Sequence, residues 1–137
     1  MSSYSVKTSS FNGDPIIEIL CNGKEWGETH PRDENFRFGV TRARLILAAK
    51  DLIREFVESE GNQPATGVPI EHTYAARGRG YTLTCRNYAE FNTRSQHVQQ
   101  PYLRLSSGRY AIGFGLAKAE ALVVLMEKIE RFVMQNE

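Results

Sequence analysis

The chain has 137 residues, a formal net charge of +1, 41% hydrophobic and 24% charged residues; this is ordinary globular composition and enough length for one domain around one substantial core. The near-balance of charge excludes attraction to nucleic acid or membrane by net charge alone, so any electrostatic footprint must come from segregated charge. No stretch approaches membrane-spanning length, and the polar run SSYSVKTSS after Met1 lacks a signal-like apolar core, so a cytoplasmic location is expected.

Two strands are predicted first, Ser3–Ser9 and Pro15–Cys21, joined at Asn12-Gly13-Asp14, a strong hairpin signal. Gly23–Glu28 reads as a third strand and Asn35–Phe38 as a fourth, with the polar loop ETHPRDE between them. A helix from Gly39 or Val40 to about Glu58 places Leu45, Ala49, Leu52 and Phe56 on one stripe, flanked by Ile46, Ile53 and Val57. Turn-rich SEGNQPATGVP follows, and residues 58–72 are assigned to a connecting loop. Gly80–Asn87, Tyr88–Thr93, Pro101–Ser106 and Arg109–Phe114 then give four more strands, with a tight turn at Ser107-Gly108. A last helix over Leu116–Met134 buries Ala119, Leu122, Val123, Met126, Ile129 and Val133. Cys21 and Cys85 each fall inside an apolar strand pattern and read as reduced, buried small hydrophobes.

The chain also states one segment twice. Phe38–Val57 (FGVTRARLILAAKDLIREFV) aligns without a gap on Phe114–Val133 (FGLAKAEALVVLMEKIERFV), keeping Phe-Gly, an Ala five positions on, and Ile-x-x-Phe-Val. Such a repeat predicts one supersecondary unit duplicated and packed on itself. The fold expected is α+β: two ββββα repeats, 1–62 and 73–137, forming a single pseudo-twofold domain with antiparallel sheets and two long helices. The recurring Phe-Gly reads first as backbone geometry at a strand-to-helix turn, with anion binding at the helix start as the sharper alternative. Arg42, Arg44 and Lys118 fall in first helical turns, where the helix dipole does not favour a cation. A bound anion, or a carboxylate from the other half, would account for that placement.

Strand alternation sorts the remaining chemistry onto faces. Tyr81, Leu83 and Cys85 point one way and Thr82, Thr84 and Arg86 the other; Leu103, Leu105, Tyr110, Ile112 and Phe114 point in, while Tyr102, Arg104 and Arg109 point out, as Lys7 and Arg37 do in the first half. From Tyr74 to Arg109 the chain carries Arg77, Arg79, Arg86, Arg94, Arg104 and Arg109 against one carboxylate, Glu90, whereas the helices hold most of the acid. Cations along a backbone track with aromatic faces beside them suit single-stranded nucleic acid. A solvated antiparallel sheet rich in Thr, Tyr and Arg has the same composition and stays open as the alternative.

This organisation, two strand-rich units each closed by a long amphipathic helix, resembles the single-stranded nucleic-acid-binding folds of Pur-alpha, the Whirly proteins and the transcriptional coactivator positive cofactor 4. The resemblance is one of architecture and spans nearly the whole chain. It implies single-stranded DNA or RNA as partner, Lys7, Arg37, Arg86, Arg104 and Arg109 as backbone contacts, and Trp26, Tyr88 and Tyr102 as stacking residues. Arg77 and Arg79 extend the basic stretch, and a homodimer is compatible with the reading. No cofactor or metal is implied, since His30, His72 and His97 lack metal-site spacing and no Ser or Cys sits in a nucleophile elbow. Catalysis is not expected; Glu71-His72 near Tyr74 is the one candidate acid–base pair. The competing class is a protein–protein or small-ligand module, for instance through Ile16, Glu18 and Leu20 on an exposed strand.

Overall fold

The computed structural model describes residues 2–91 and 99–137; Thr93, Arg94 and His97 lie outside the described residues. Strand β1 (Tyr4–Phe11) turns into β2 (Asp14–Cys21) through Asn12 and Gly13, whose φ angles of 52° and 83° are the two left-handed positions a type I′ turn requires. β2 is the hub of the first sheet. It pairs antiparallel with β1 along one edge and with β4 (Phe36–Gly39) and two-residue β3 (Lys24–Glu25) along the other. The longer third strand expected over Gly23–Glu28 does not form, because Trp26 opens a short helix, α1 (Trp26–Thr29), and turns its indole into the core.

The second sheet runs in chain order, β5 (Ile70–Ala76), β6 (Arg79–Phe91), β7 (Gln99–Ser107) and β8 (Tyr110–Phe114), all antiparallel. β5 begins inside the stretch read as loop, and its strict alternation turns Ile70, His72, Tyr74 and Ala76 inward. Through the described residues to Phe91, the two strands expected from Gly80 onward are one 13-residue strand, β6. Asn87, buried on that strand, donates from Nδ2 to the Gly61 and Pro64 carbonyls at 2.8 and 2.9 Å, which ties the loop after the first helices to the sheet.

The helical segments are α2 (Val40–Ala48) with α3 (Lys50–Glu58), and α4 (Leu116–Val124) with α5 (Met126–Gln135). Each expected long helix is therefore divided at a single residue. Ala49 and Leu125, which align in the duplicated segment, have φ/ψ of −102°/13° and −100°/11°. The hydrogen-bond ladder continues through both breaks: Ala49 N–H donates to Leu45 O at 3.1 Å and Leu125 N–H to Ala121 O at 3.0 Å. Neither residue is Pro or Gly and both are buried, so packing overrides local propensity there.

Helix α3 packs on α4 and α2 on α5, while α2 also lies against β5, β7 and β8. One apolar cluster unites both sheets and these helices, with Ile17, Ile19, Ile46, Phe56, Leu83, Leu103, Leu105, Leu122 and Ile129 all at 0% exposure. At roughly 1.5–3 kcal/mol for each large side chain buried, these faces bind the helices to the sheets more strongly than helix propensity could. No helix among the described residues is long and apolar enough to cross a membrane.

Candidate nucleic-acid interface

Cross-strand register sets the chemistry of the two outer sheet faces. In the first sheet, Ile17 lies opposite Phe38 on the core side, and the next position outward aligns Lys7, Glu18 and Arg37 in one row. In the second sheet, Leu103 lies opposite Phe114, and the next position aligns Arg86, Arg104 and Gly113. Glu18 and Arg104 thus hold corresponding central places with opposite charge. Glu18 is buried between its two cationic neighbours, and its Oε2 has no hydrogen-bond partner. Its carboxylate offsets the positive potential of Lys7 and Arg37, so the first sheet offers an anion less than the second does.

Beside the Arg86–Arg104 pair, Tyr88 lies opposite Tyr102, and on the other side Thr84 lies opposite Ser106. Like charges placed directly across strands disfavour each other by about 0.2–1 kcal/mol, which an anion between them would reverse. The Arg86 guanidinium stands 5.6 Å over the Tyr88 ring, and its Nη1 donates to the Tyr88 hydroxyl at 3.5 Å. That bond, with a smaller contribution from Arg104, holds the Tyr88 hydroxyl below the usual tyrosine pKa. Arg86 Nε is buried without an acceptor. Tyr102 lies across Gly113, where an added Cβ would collide with the phenol ring and hydroxyl. Tyr88 and Arg104 are exposed, and Arg86 and Tyr102 are half-buried. Tyr102 also borders an open depression of about 940 Å³ walled by His30–Glu34 and Lys118.

Other expected site residues lie elsewhere. Trp26 is 0% exposed, stacked on His30 at 4.3 Å and edge-on to Phe36 at 5.7 Å, and donates from Nε1 to Asp33 at 3.1 Å. A ring without exposed surface cannot stack on a base, so Trp26 leaves the stacking set. Arg77 and Arg109 sit in the β5–β6 and β7–β8 turns and line a cavity on the inward side of the sheet, with Arg109 over the Tyr110 ring at 5.2 Å. Arg109 is therefore not beside Arg86 and Arg104, because Gly108 (φ 58°) turns the chain before it. Arg79 is exposed just past the β5–β6 turn.

Glu71 and His72 cannot form the acid–base pair considered from sequence: Glu71 is opposite Thr84 on the outer face and His72 opposite Leu83 on the inner. Nor is β2 an exposed docking edge, since both its edges are paired. Two of the three helix-start cations, Lys118 and Arg42, are accounted for within the protein. Lys118 Nζ bonds Asp33 Oδ1 at 3.0 Å and lies 5.0 Å over the Phe36 ring, and Arg42 Nε donates to the Ala111 carbonyl at 2.9 Å. Burial would raise the Asp33 carboxyl, but the Lys118 hydrogen bond and charge, the Glu34 amide and the Trp26 indole together hold it below the usual range. Gly39 and Gly115 adopt extended backbone (φ −89° and −88°) with ordinary clearance for a Cβ, so neither is required by a left-handed turn. Arg44, the third helix-start cation, lines the same cavity as Arg77 and Arg109. Cys21 and Cys85 are free and buried. Among the described residues no three His, Cys, Asp or Glu side chains converge as a metal site. No family model, curated protein or solved structure matches the chain.

Proposed function

We propose that the chain binds single-stranded nucleic acid on the outer face of the second sheet, without catalysis, with phosphates at Arg86 and Arg104 and bases against Tyr88 and Tyr102. The observation that carries this reading is the cross-strand Arg86–Arg104 pair set directly beside the cross-strand Tyr88–Tyr102 pair. Cations placed to track a backbone, with aromatic rings at the next position along the same face, are what sequence-tolerant strand binding needs. The depression beyond Tyr102 leaves room for the strand to continue. Lys7 and Arg37, tempered by Glu18, form a secondary basic row, and exposed Arg79 extends the positive surface at the start of β6, whereas Arg77 and Arg109 face the inner cavity and take no part in this surface.

The fold is read as a duplicated unit related by a pseudo-twofold axis, of the kind the Pur-alpha, Whirly and positive cofactor 4 folds share. In support are the matching breaks at Ala49 and Leu125, the matching registers around Phe38 and Phe114, and the reciprocal reach of Arg42 and Lys118 across the halves. The strands common to both units are then β1, β2 and β4 in one and β6, β7 and β8 in the other. Fluorescence anisotropy with labelled oligo-dT, oligo-U and a duplex, at low and moderate salt, tests the function. Binding of the single strands that weakens with salt is expected; no binding of any strand at low salt would remove the proposal.

A further inference from the structure

On the inward side of the second sheet, the β5–β6 and β7–β8 turns meet at one end and α2 closes over them, leaving a cavity of about 360 Å³. Three cations reach it, Arg44 from α2 and Arg77 and Arg109 from the two turns, together with Tyr74, Tyr81 and Tyr110; no carboxylate is among its lining residues. Arg44 Nε and Nη2 are buried there without an acceptor. Two guanidinium nitrogens held out of water without an acceptor are unfavourable, and the planar donor fork is matched to phosphate oxygens. Like charges converging on a void carry the same implication: an anion completes the site.

The aromatic walls say more about that anion. Tyr110 is already engaged by Arg109 and by Arg42, at 5.2 and 5.8 Å from its ring. Tyr74 and Tyr81 stack on each other at 5.5 Å, and Tyr81 remains 41% exposed at the mouth, leaving a ring surface for a planar group. A bare phosphate would fill little of the cavity, whose volume is that of a small-molecule site. We infer that this cavity binds a nucleoside phosphate, its phosphate held by Arg44, Arg77 and Arg109 and its base against the Tyr74–Tyr81 pair, supplied either as a free mononucleotide or as the phosphorylated end of a strand. A phosphomonoester carries about two negative charges near neutral pH, which suits three guanidinium groups. The site is separate from the outer sheet face and stands apart from the strand-binding proposal.

Calorimetric titration of the full chain with 5′-AMP, 5′-UMP, adenosine and inorganic phosphate tests it. The nucleotides bind, adenosine does not, and phosphate alone is weaker. Arg44→Gln lowers nucleotide affinity by about ten- to a hundredfold, as expected for losing one charged hydrogen-bonding group, yet leaves anisotropy with 5′-hydroxyl oligo-dT as in the parent. The variant melts no lower than the parent, because it removes a charged group with two buried, unpartnered nitrogens, and 5′-AMP no longer raises its Tm. Should Arg44→Gln misfold, Arg109→Gln at the cavity rim is read in the same way. Preference for 5′-phosphorylated over 5′-hydroxyl oligo-dT assigns the strand end as the source, and equal affinity assigns the free mononucleotide. Absence of nucleotide binding to the parent, or undiminished binding to a folded variant, overturns the inference. Arg86→Ala with Arg104→Ala separates the two sites, since it weakens oligo-dT binding and spares the nucleotide.

Discussion

Replacing Arg104 by Ala should move binding and stability in opposite directions. Arg104 is exposed opposite Arg86, so its removal relieves a like-charge pair and should stabilise the free protein by about 0.2–1 kcal/mol, a rise of about 1–4 °C in Tm for a chain of this size. Loss of one solvent-accessible phosphate contact should cost about 1–2 kcal/mol of binding, or roughly five- to thirtyfold in Kd. The loss should be the same for oligo-dT and oligo-U, because a phosphate contact carries no base information. The slope of log affinity against log salt should become shallower by roughly 0.7. Glu18→Gln is the reciprocal test: it leaves Lys7 and Arg37 uncompensated and should strengthen binding. Anisotropy across a salt series, paired with thermal melting, reads every quantity. General structural damage lowers Tm and binding together, so it cannot mimic the expected pattern. If Arg104→Ala stays folded, binds within about twofold of the parent and keeps the parental salt slope, the outer face of the second sheet is not the strand-binding surface.

Tyr102→Ala should lose about 1–3 kcal/mol of binding with little change in salt slope, since a neutral ring releases no counterion; Gly113→Ala, which drives the phenol from its seat, should reproduce part of that loss in the same titration. The Tyr88 hydroxyl titrates below an ordinary tyrosine because Arg86 and then Arg104 favour its ionised form, so tyrosine-labelled NMR of Arg86→Ala should find its pKa raised; an unmoved value refutes the assigned cause. Burial pushes the Cys85 thiol up to about 11, so a thiol reagent near neutral pH should modify it only after denaturant unfolds the chain, and prompt labelling of the native protein would contradict its burial. Asp33 is 43% exposed, so its pair with Lys118 should contribute no more than about 1 kcal/mol. Because the folded pKa is depressed, that stability is present above the ordinary carboxylate pKa and is lost as pH falls through the lowered value; Lys118→Met should flatten this acid-side dependence in melts across pH.

Elements whose signal is local were legible in the sequence. Asn12-Gly13 marks the first hairpin because few residue pairs accept two positive φ angles, and the apolar stripes locate both helical segments. The breaks at Ala49 and Leu125 were not legible: neither residue interrupts a helix intrinsically, and the dihedral change answers to core packing. Trp26 was misread because its neighbours are polar and its burial depends on partners from β1, β4 and the following loop. β5 was hidden for a related reason, its inward residues being a mix of Ile70, His72, Tyr74 and Ala76 rather than an apolar alternation. Of the candidate interface, the outward direction of Arg86, Arg104 and Tyr102 follows from the two-residue period of a strand. Which of them stand opposite one another depends on register, and that is set by core pairs such as Leu103 with Phe114. Arg44 carried only a weak sequence mark, a cation in a first helical turn; the cavity it enters was not legible, since that is closed by turns more than thirty residues away along the chain.

The packing of α2 on α5 and against the second sheet bears on how the chain is made. During synthesis, Val40–Glu58 leaves the ribosome long before Leu116–Gln135 exists, so its apolar surface must wait for a cover that arrives last. Arg42 waits for Ala111, and Asp33 for Lys118, sixty-nine and eighty-five residues later. Closure over such separations is slow and leaves hydrophobic surface open in the interval. The nascent chain is therefore most vulnerable to aggregation, and most dependent on chaperones, before its final helix emerges; a stalled or truncated product should be cleared rather than accumulate as a stable half.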